Sequence, residues 1–132
     1  MTARAQGTFT VKSWDENAYK ELAGNAKLTK ARMTFSFAGD MEAECTSDTL
    51  MCYRDDGTAV YTGLDQMTGQ LAGQSGSFVL RTEGAYEGGG ARTTWQVIEG
   101  SGTGELTGLR GAGSAVSANA PGGTFSLDYD LG

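Results

Sequence analysis

The chain has 132 residues, 39% of them apolar, with 21 glycines and one proline. That length suits a single domain over residues 1–132, large enough to hide roughly two-thirds of its unfolded surface without staples. Ten Lys and Arg against sixteen Asp and Glu give a net charge of −6 with no basic cluster, which excludes a source for phosphate-backbone affinity and hence nucleic acid as a partner. The chain has no histidine, which excludes the Cys-His and Ser-His pairings of nucleophilic catalysis.

The N-terminus, MTARAQGTFTV, lacks the apolar run of a signal peptide, and nowhere do about 18 apolar residues run together. A soluble, cytoplasmic protein with no membrane partner is expected. Alternation of apolar and polar residues begins at Phe9 and Val11. "SWDENAYKELAGNAKLTK" breaks the pattern and predicts at most two turns of helix, capped by Asp15 and stopped by Gly24 and Asn25. Met33, Phe35 and Phe37 resume the strand period, and "MEAECTSDTLMCY" continues it through Met41, Ala43, Cys45, Met51 and Tyr53, with room for a bulge near Ser47 to Thr49.

Asp56-Gly57 between two strand-like runs is a hairpin signal, so residues 41–68 should be antiparallel. A glycine link at Gly88 to Gly90 joins a Phe78, Leu80 strand to a Trp95, Val97 strand and extends the meander. "SANAPGG" at 117–123 reads as a loop around Pro121, and the last strand alternates Phe125, Leu127, Tyr129 and Leu131 with Ser126, Asp128 and Asp130. The first three of these, with Phe78, Leu80, Trp95 and Val97, are expected inside, and Asp128 and Asp130 outside.

The glycine-rich stretch "GSGTGELTGLRGAG" at 100–113 completes no G-x-G-x-x-G, has no Gly-Lys and leads into no helical pattern, so it does not read as a phosphate loop. Its frame G-x-L-x-G-x-x-G occurs at Gly69 to Gly76 and again at Gly104 to Gly111. Most of these glycines are assigned to tight turns and to strand curvature in a sheet that closes on itself. The expected fold is therefore all-β: a small closed antiparallel barrel of about eight strands, whose interior holds side chains or one small ligand.

"SWDE", "FAGDMEAE", "YRDDGTAVYTGL", "GSFVLRTEG" and the run from "GSGTGELTGLRGAG" through "FSLDYDL" resemble short bacterial proteins of a domain-of-unknown-function family grouped with allene oxide cyclase-like barrels. Thr94 to Gly111 resembles, more loosely, the glycine-rich strand of plant allene oxide cyclases and dirigent proteins, which steer cyclisation or radical coupling inside a barrel. The resemblance implies an allene oxide cyclase-like barrel and hands no catalytic residue to this chain. The chain departs from the bacterial pattern at Ala43 and Cys45, where glycine is usual, and at Thr49, where an aromatic is usual.

Cys45 and Cys52 are seven apart, on opposite faces of one strand, and read as free thiols. Without histidine, acid-base work falls to carboxylates, Tyr and Lys, and Glu44 and Tyr129 are the candidate proton carriers. By parity Glu42 and Glu44 face solvent unless a bulge turns one inward. Asp65 and Arg81 form a candidate polar pair, and Tyr53, Phe78, Leu80, Trp95 and Phe125 carry the aromatic and apolar area for a ligand. No metal or other cofactor is expected, since the ligand spacings of zinc and calcium sites are missing. Three readings follow: a barrel that binds a small hydrophobic ligand and acts as a cofactor-free isomerase or cyclase, a non-catalytic hydrophobic-ligand-binding module, or a filled barrel acting through its surface, for instance as a homo-oligomer.

Overall fold

The period-two pattern is realised as eight strands: β1 (Ala3–Glu21), β2 (Lys27–Gly39), β3 (Met41–Tyr53), β4 (Ala59–Leu71), β5 (Gln74–Glu87), β6 (Gly90–Val97), β7 (Arg110–Ala118) and β8 (Gly122–Asp130). The structure, a computed structural model, describes residues 2–118 and 122–131. Each strand pairs antiparallel with the next, and β8 pairs with β1, so the sheet is a closed antiparallel eight-stranded barrel. β1 closes on β8 over Ala3–Thr10, and beyond Thr10 it pairs with β2 alone. On the outer face of the closing seam, Arg4 donates to both carboxylate oxygens of its cross-strand partner Asp128.

The hairpin turns at 54–58 and 88–89 lie at one end of the barrel, with the β1–β2 turn beside them: the backbone N–H of Asn25 donates to Asp55 at 2.7 Å. The termini, the turns at 39–40 and 72–73, and the long β6–β7 connection lie at the other. That second end is packed solid: Met41, Met67, Leu71, Leu80 and Leu127 are fully buried, and each such side chain contributes about 1.5–3 kcal/mol by leaving water.

The stretch that the sequence suggests as curved strand is mostly a plug. Residues 98–109 leave the sheet, make one 3₁₀ turn at Gly104–Leu106, and drop Leu106 and Leu109 into the closed end. Thr103 and Ser101 hydrogen-bond the part of β5 that the shorter β6 leaves unpaired: the Thr103 N–H donates to Ser77 O, and the Ser77 and Val79 N–H groups donate to Thr103 Oγ1 and Ser101 Oγ. The two copies of the glycine frame meet here. Gly104 has φ 60° and its Cα lies so near β5 that a Cβ would be 2.9 Å from Ser75 O, so both the conformation and the close approach require glycine.

Two other expectations are corrected. Residues 15–21 continue β1 instead of forming helix, because β2 supplies their backbone partners out to Glu21 opposite Lys27, and Gly24-Asn25 belongs to the hairpin turn. Tertiary pairing here overrides the local cap and stop signals. The bulge near Ser47 to Thr49 does not exist: β3 runs in unbroken register against both neighbours. The irregularities fall in β1, between Val11 and Ser13 and between Ala18 and Lys20. Ser117, Gly122 and Gly123 of the expected 117–123 loop belong to strands, while residues 119–121, Pro121 among them, lie outside the described residues.

Candidate functional site

Towards the end that carries the 54–58 and 88–89 turns, the barrel is hollow. A cavity of about 570 Å³ opens there, with Trp14, Tyr53, Tyr86, Gly89, Gly90 and Ser117 among its lining. Its depth can be read along the strands. The last lining residue before the packed core is Phe9 on β1, Phe37 on β2, Ser47 on β3, Asp65 on β4, Thr82 on β5, Trp95 on β6 and Ala115 on β7. The floor is therefore divided: aromatic where β1, β2 and β6 contribute, polar where β3, β4 and β5 contribute.

The aromatic side is held from beneath. Phe125 stacks on Trp95 with centroids 5.8 Å apart and an interplanar angle of 24°, and both meet Phe37 edge-on. Such contacts fix ring orientation as well as burying area. On the polar side, Ser47 and Thr49 share a hydroxyl hydrogen bond of 2.8 Å. Asp65 is 7% exposed and its Oδ1 has no hydrogen-bond partner. Burial pushes its carboxyl up to about 6, the neighbouring Ser47 hydroxyl and Cys45 thiol offsetting part of the rise and the Asp48 charge adding to it.

A second carboxylate sits nearer the mouth and is fully engaged. The irregularity between Val11 and Ser13 inserts one residue, Lys12, and so passes the inner face from odd-numbered Phe9 and Val11 to even-numbered Trp14 and Glu16. Glu16 then accepts from Trp14 Nε1 at 2.8 Å and from the hydroxyls of Thr29 and Tyr53 at 2.7 Å each. Burial works to raise its pKa, but these donors and the nearby Lys27 charge hold it below the ordinary glutamate value. Burial, together with the same partnership, pushes the Tyr53 phenol well above its usual range, and Lys27 Nζ lies 5.1 Å from the Tyr53 ring centroid.

Of the residues singled out from sequence, Tyr53, Trp95 and Asp65 line the cavity. Phe78, Leu80, Phe125 and Tyr129 lie in the packed core instead, below the floor. Glu44 is on the outer face, as parity without a bulge requires, where it accepts from Lys12 Nζ at 2.9 Å and Ser36 Oγ at 2.7 Å. Neither expected proton carrier reaches the cavity. Asp65 and Arg81 do not pair, because Asp65 stands opposite Leu80, so it points inward while Arg81, one residue on, points to solvent. Cys45 is buried inside and Cys52 is half-buried on the other face, both as free thiols.

The sequence names none of Ser47, Thr49, Thr82, Tyr61, Trp14 and Glu16 as a site residue, Thr49 entering as a departure from the family pattern. The first two carried a signal, since they occupy inward positions in the unbroken β3 alternation, but as polar residues they read as a bulge. Among the described residues, no three His, Cys, Asp or Glu side chains converge as a metal site.

The barrel has a solved counterpart. The crystal structure of a protein of unknown function from Shewanella oneidensis MR-1, of the DUF3224 family, superposes with a TM-score of 0.83 at 30% identity over 98% of each chain. No curated protein matches this chain. The family described as "Protein of unknown function (DUF3224)" matches residues 5–129. Nearly the whole barrel, from the β1–β8 seam through the plug to the last strand, thus falls within one sequence family, and the chain belongs to DUF3224.

Proposed function

We propose that this barrel binds a small, mainly apolar molecule in its open-ended cavity. The observation that carries the reading is the 570 Å³ hollow, a size ordinary for small-molecule sites, walled by Phe9, Met33, Phe35, Phe37, Met51 and Trp95 with a few polar groups grouped on one side. A barrel acting only through its surface would have no use for the hollow, since interiors otherwise pack to crystal-like density.

Rearrangement of the bound molecule by a cofactor-free isomerase or cyclase is the second reading. It is supported by Asp65, an ionisable group at the cavity floor whose raised pKa suits proton transfer near neutrality. The likeness to allene oxide cyclases adds only analogy of fold, and the segment that resembled their glycine-rich strand is largely the plug.

Nile red, neutral and apolar, tests the binding reading. It should bind one to one with a blue-shifted emission, and Thr49→Trp, which fills the hollow from β3, should abolish binding while leaving the strand-type circular dichroism intact. Absence of binding, or binding indifferent to Thr49→Trp, would refute it.

A further inference from the structure

We propose that Asp65 is the recognition group of the cavity, and that the ligand it receives carries a protonated amine on a small aromatic or aliphatic body. The inference rests on the binding reading above and adds the chemical class to it.

Four observations converge on the amine. Asp65 lines the cavity, and its Oδ1 is buried with no hydrogen-bond partner; a carboxylate left so is costly, and a cationic donor against it lowers the cost. The same floor carries the rings of Phe9, Phe37 and Trp95, and aromatic faces attract a cation. Among the described lining residues there is no Lys or Arg, so a carboxylate at the floor would find Asp65 as a like charge, the Lys27 ammonium lying up beside Tyr53 at the mouth. The chain as a whole carries a net charge of −6, which draws cations and repels anions. A neutral alcohol could donate to the Asp65 carboxylate but would gain from neither the charge nor the rings.

The groups packed against Asp65 leave it the titrating member of its surroundings near neutral pH. On β3, burial holds the Cys45 thiol protonated, and Asp48, on the outer face with Arg32, is held below its ordinary value. On β4, burial pushes the Tyr61 phenol upward. On β5 the inward neighbours are Leu80 and Thr82, which do not titrate. Burial pushes Asp65 itself up to about 6, so a bound ammonium competes with the proton there.

The test is calorimetric titration of 4-phenylbutylamine, 4-phenylbutan-1-ol and 4-phenylbutyrate into the full chain and into Asp65→Asn, at pH 7.5 and pH 5, with Nile red titrated into the same samples. In the parent at pH 7.5 the amine should bind at least tenfold more tightly than the alcohol, with the acid weakest. Its affinity should fall about tenfold at pH 5, the expected loss for a carboxylate of pKa near 6. Asp65→Asn should bind amine and alcohol alike while retaining Nile red. If the alcohol or the acid matches the amine, or the preference survives in Asp65→Asn, the amine proposal is overturned; Nile red binding in those samples would leave the cavity reading standing. Failure of Nile red as well would remove both. Should Asp65→Asn not fold, the pH dependence in the parent decides: an amine affinity unchanged between pH 7.5 and pH 5 overturns the proposal.

Discussion

The phenol of Tyr61 on β4 reaches over the bare backbone of Gly84 on β5 to the hydroxyl of Thr93 on β6, 2.6 Å away. The contact spans three strands and shapes one wall of the cavity. A Cβ at Gly84 would lie 2.5 Å from both Cζ and the hydroxyl oxygen of Tyr61, and 2.5 Å from Arg92 O. Gly84→Ala should therefore evict the ring and break the hydroxyl contact, destabilising the barrel by about 1–3 kcal/mol as overpacking does. Urea unfolding measures the loss, and a changed Nile red affinity should accompany it because Tyr61 lines the cavity.

Asp65 should give stability an unusual slope with pH. Its carboxyl rises on folding from the ordinary 3.8 to about 6, so the native state holds the proton more tightly. Its contribution is fully present below about pH 4 and is lost as pH rises through 6, a span of about 3 kcal/mol at most. Glu16, Glu44, Asp48, Asp56 and Asp128 are shifted downward and act in the opposite sense, losing stability as pH falls through their lowered values. The difference between parent and Asp65→Asn isolates the first effect: Asp65→Asn should be the more stable protein at pH 7.5, and the gap should close towards pH 4 in parallel denaturation curves. A gap independent of pH would show that Asp65 does not titrate in that window.

The plug and the cavity occupy opposite ends and should respond separately. Leu106 is 1% exposed and fills the closed end with Leu109, so Leu106→Ala should cost about 2–5 kcal/mol. Nile red affinity at low denaturant should stay at the parent value. A loss of probe binding in a variant that remains folded would mean that the plug also shapes the cavity.

Glu44→Gln should leave Nile red binding and any turnover of a bound ligand unchanged, because the side chain lies on the outer wall with Lys12 and Ser36. Exposed pairs of this kind contribute little. An effect of Glu44→Gln on ligand affinity would contradict the outward placement.

The barrel itself was legible because its closed half is apolar throughout. Phe125, Leu127 and Tyr129 on β8 alternate against polar neighbours, and they are buried together with Leu80 on β5 and Val97 on β6. Such a pattern has one solution wherever one face is core and the other water. The turns at Asp56-Gly57 and Gly88-Gly89 were legible for a local reason: the Asp56 side chain accepts from the Thr58 N–H, and both glycines at 88–89 adopt positive φ.

The cavity was not legible, because a hollow is made by residues from strands that meet only when the sheet closes. Ser47, Thr49, Asp65 and Thr82 stand at inward positions on three strands, and along each strand alone a polar residue in the apolar phase is indistinguishable from a slipped register. The insertion at Lys12 is equally silent, yet it alone turns Trp14 and Glu16 to the inner face, through a register that β2 imposes. The sequence by itself determined strand period, the turns at Asp56-Gly57 and Gly88-Gly89, and the apolar half of the interior, since these are properties of neighbouring residues. Only the tertiary structure decided that no bulge turns Glu44 from the outward face that parity gives it, that Asp65 parts from Arg81 and stands on the cavity floor with Oδ1 unpartnered, and that the glycine-rich stretch folds into a plug, since each depends on pairing between residues far apart in the chain.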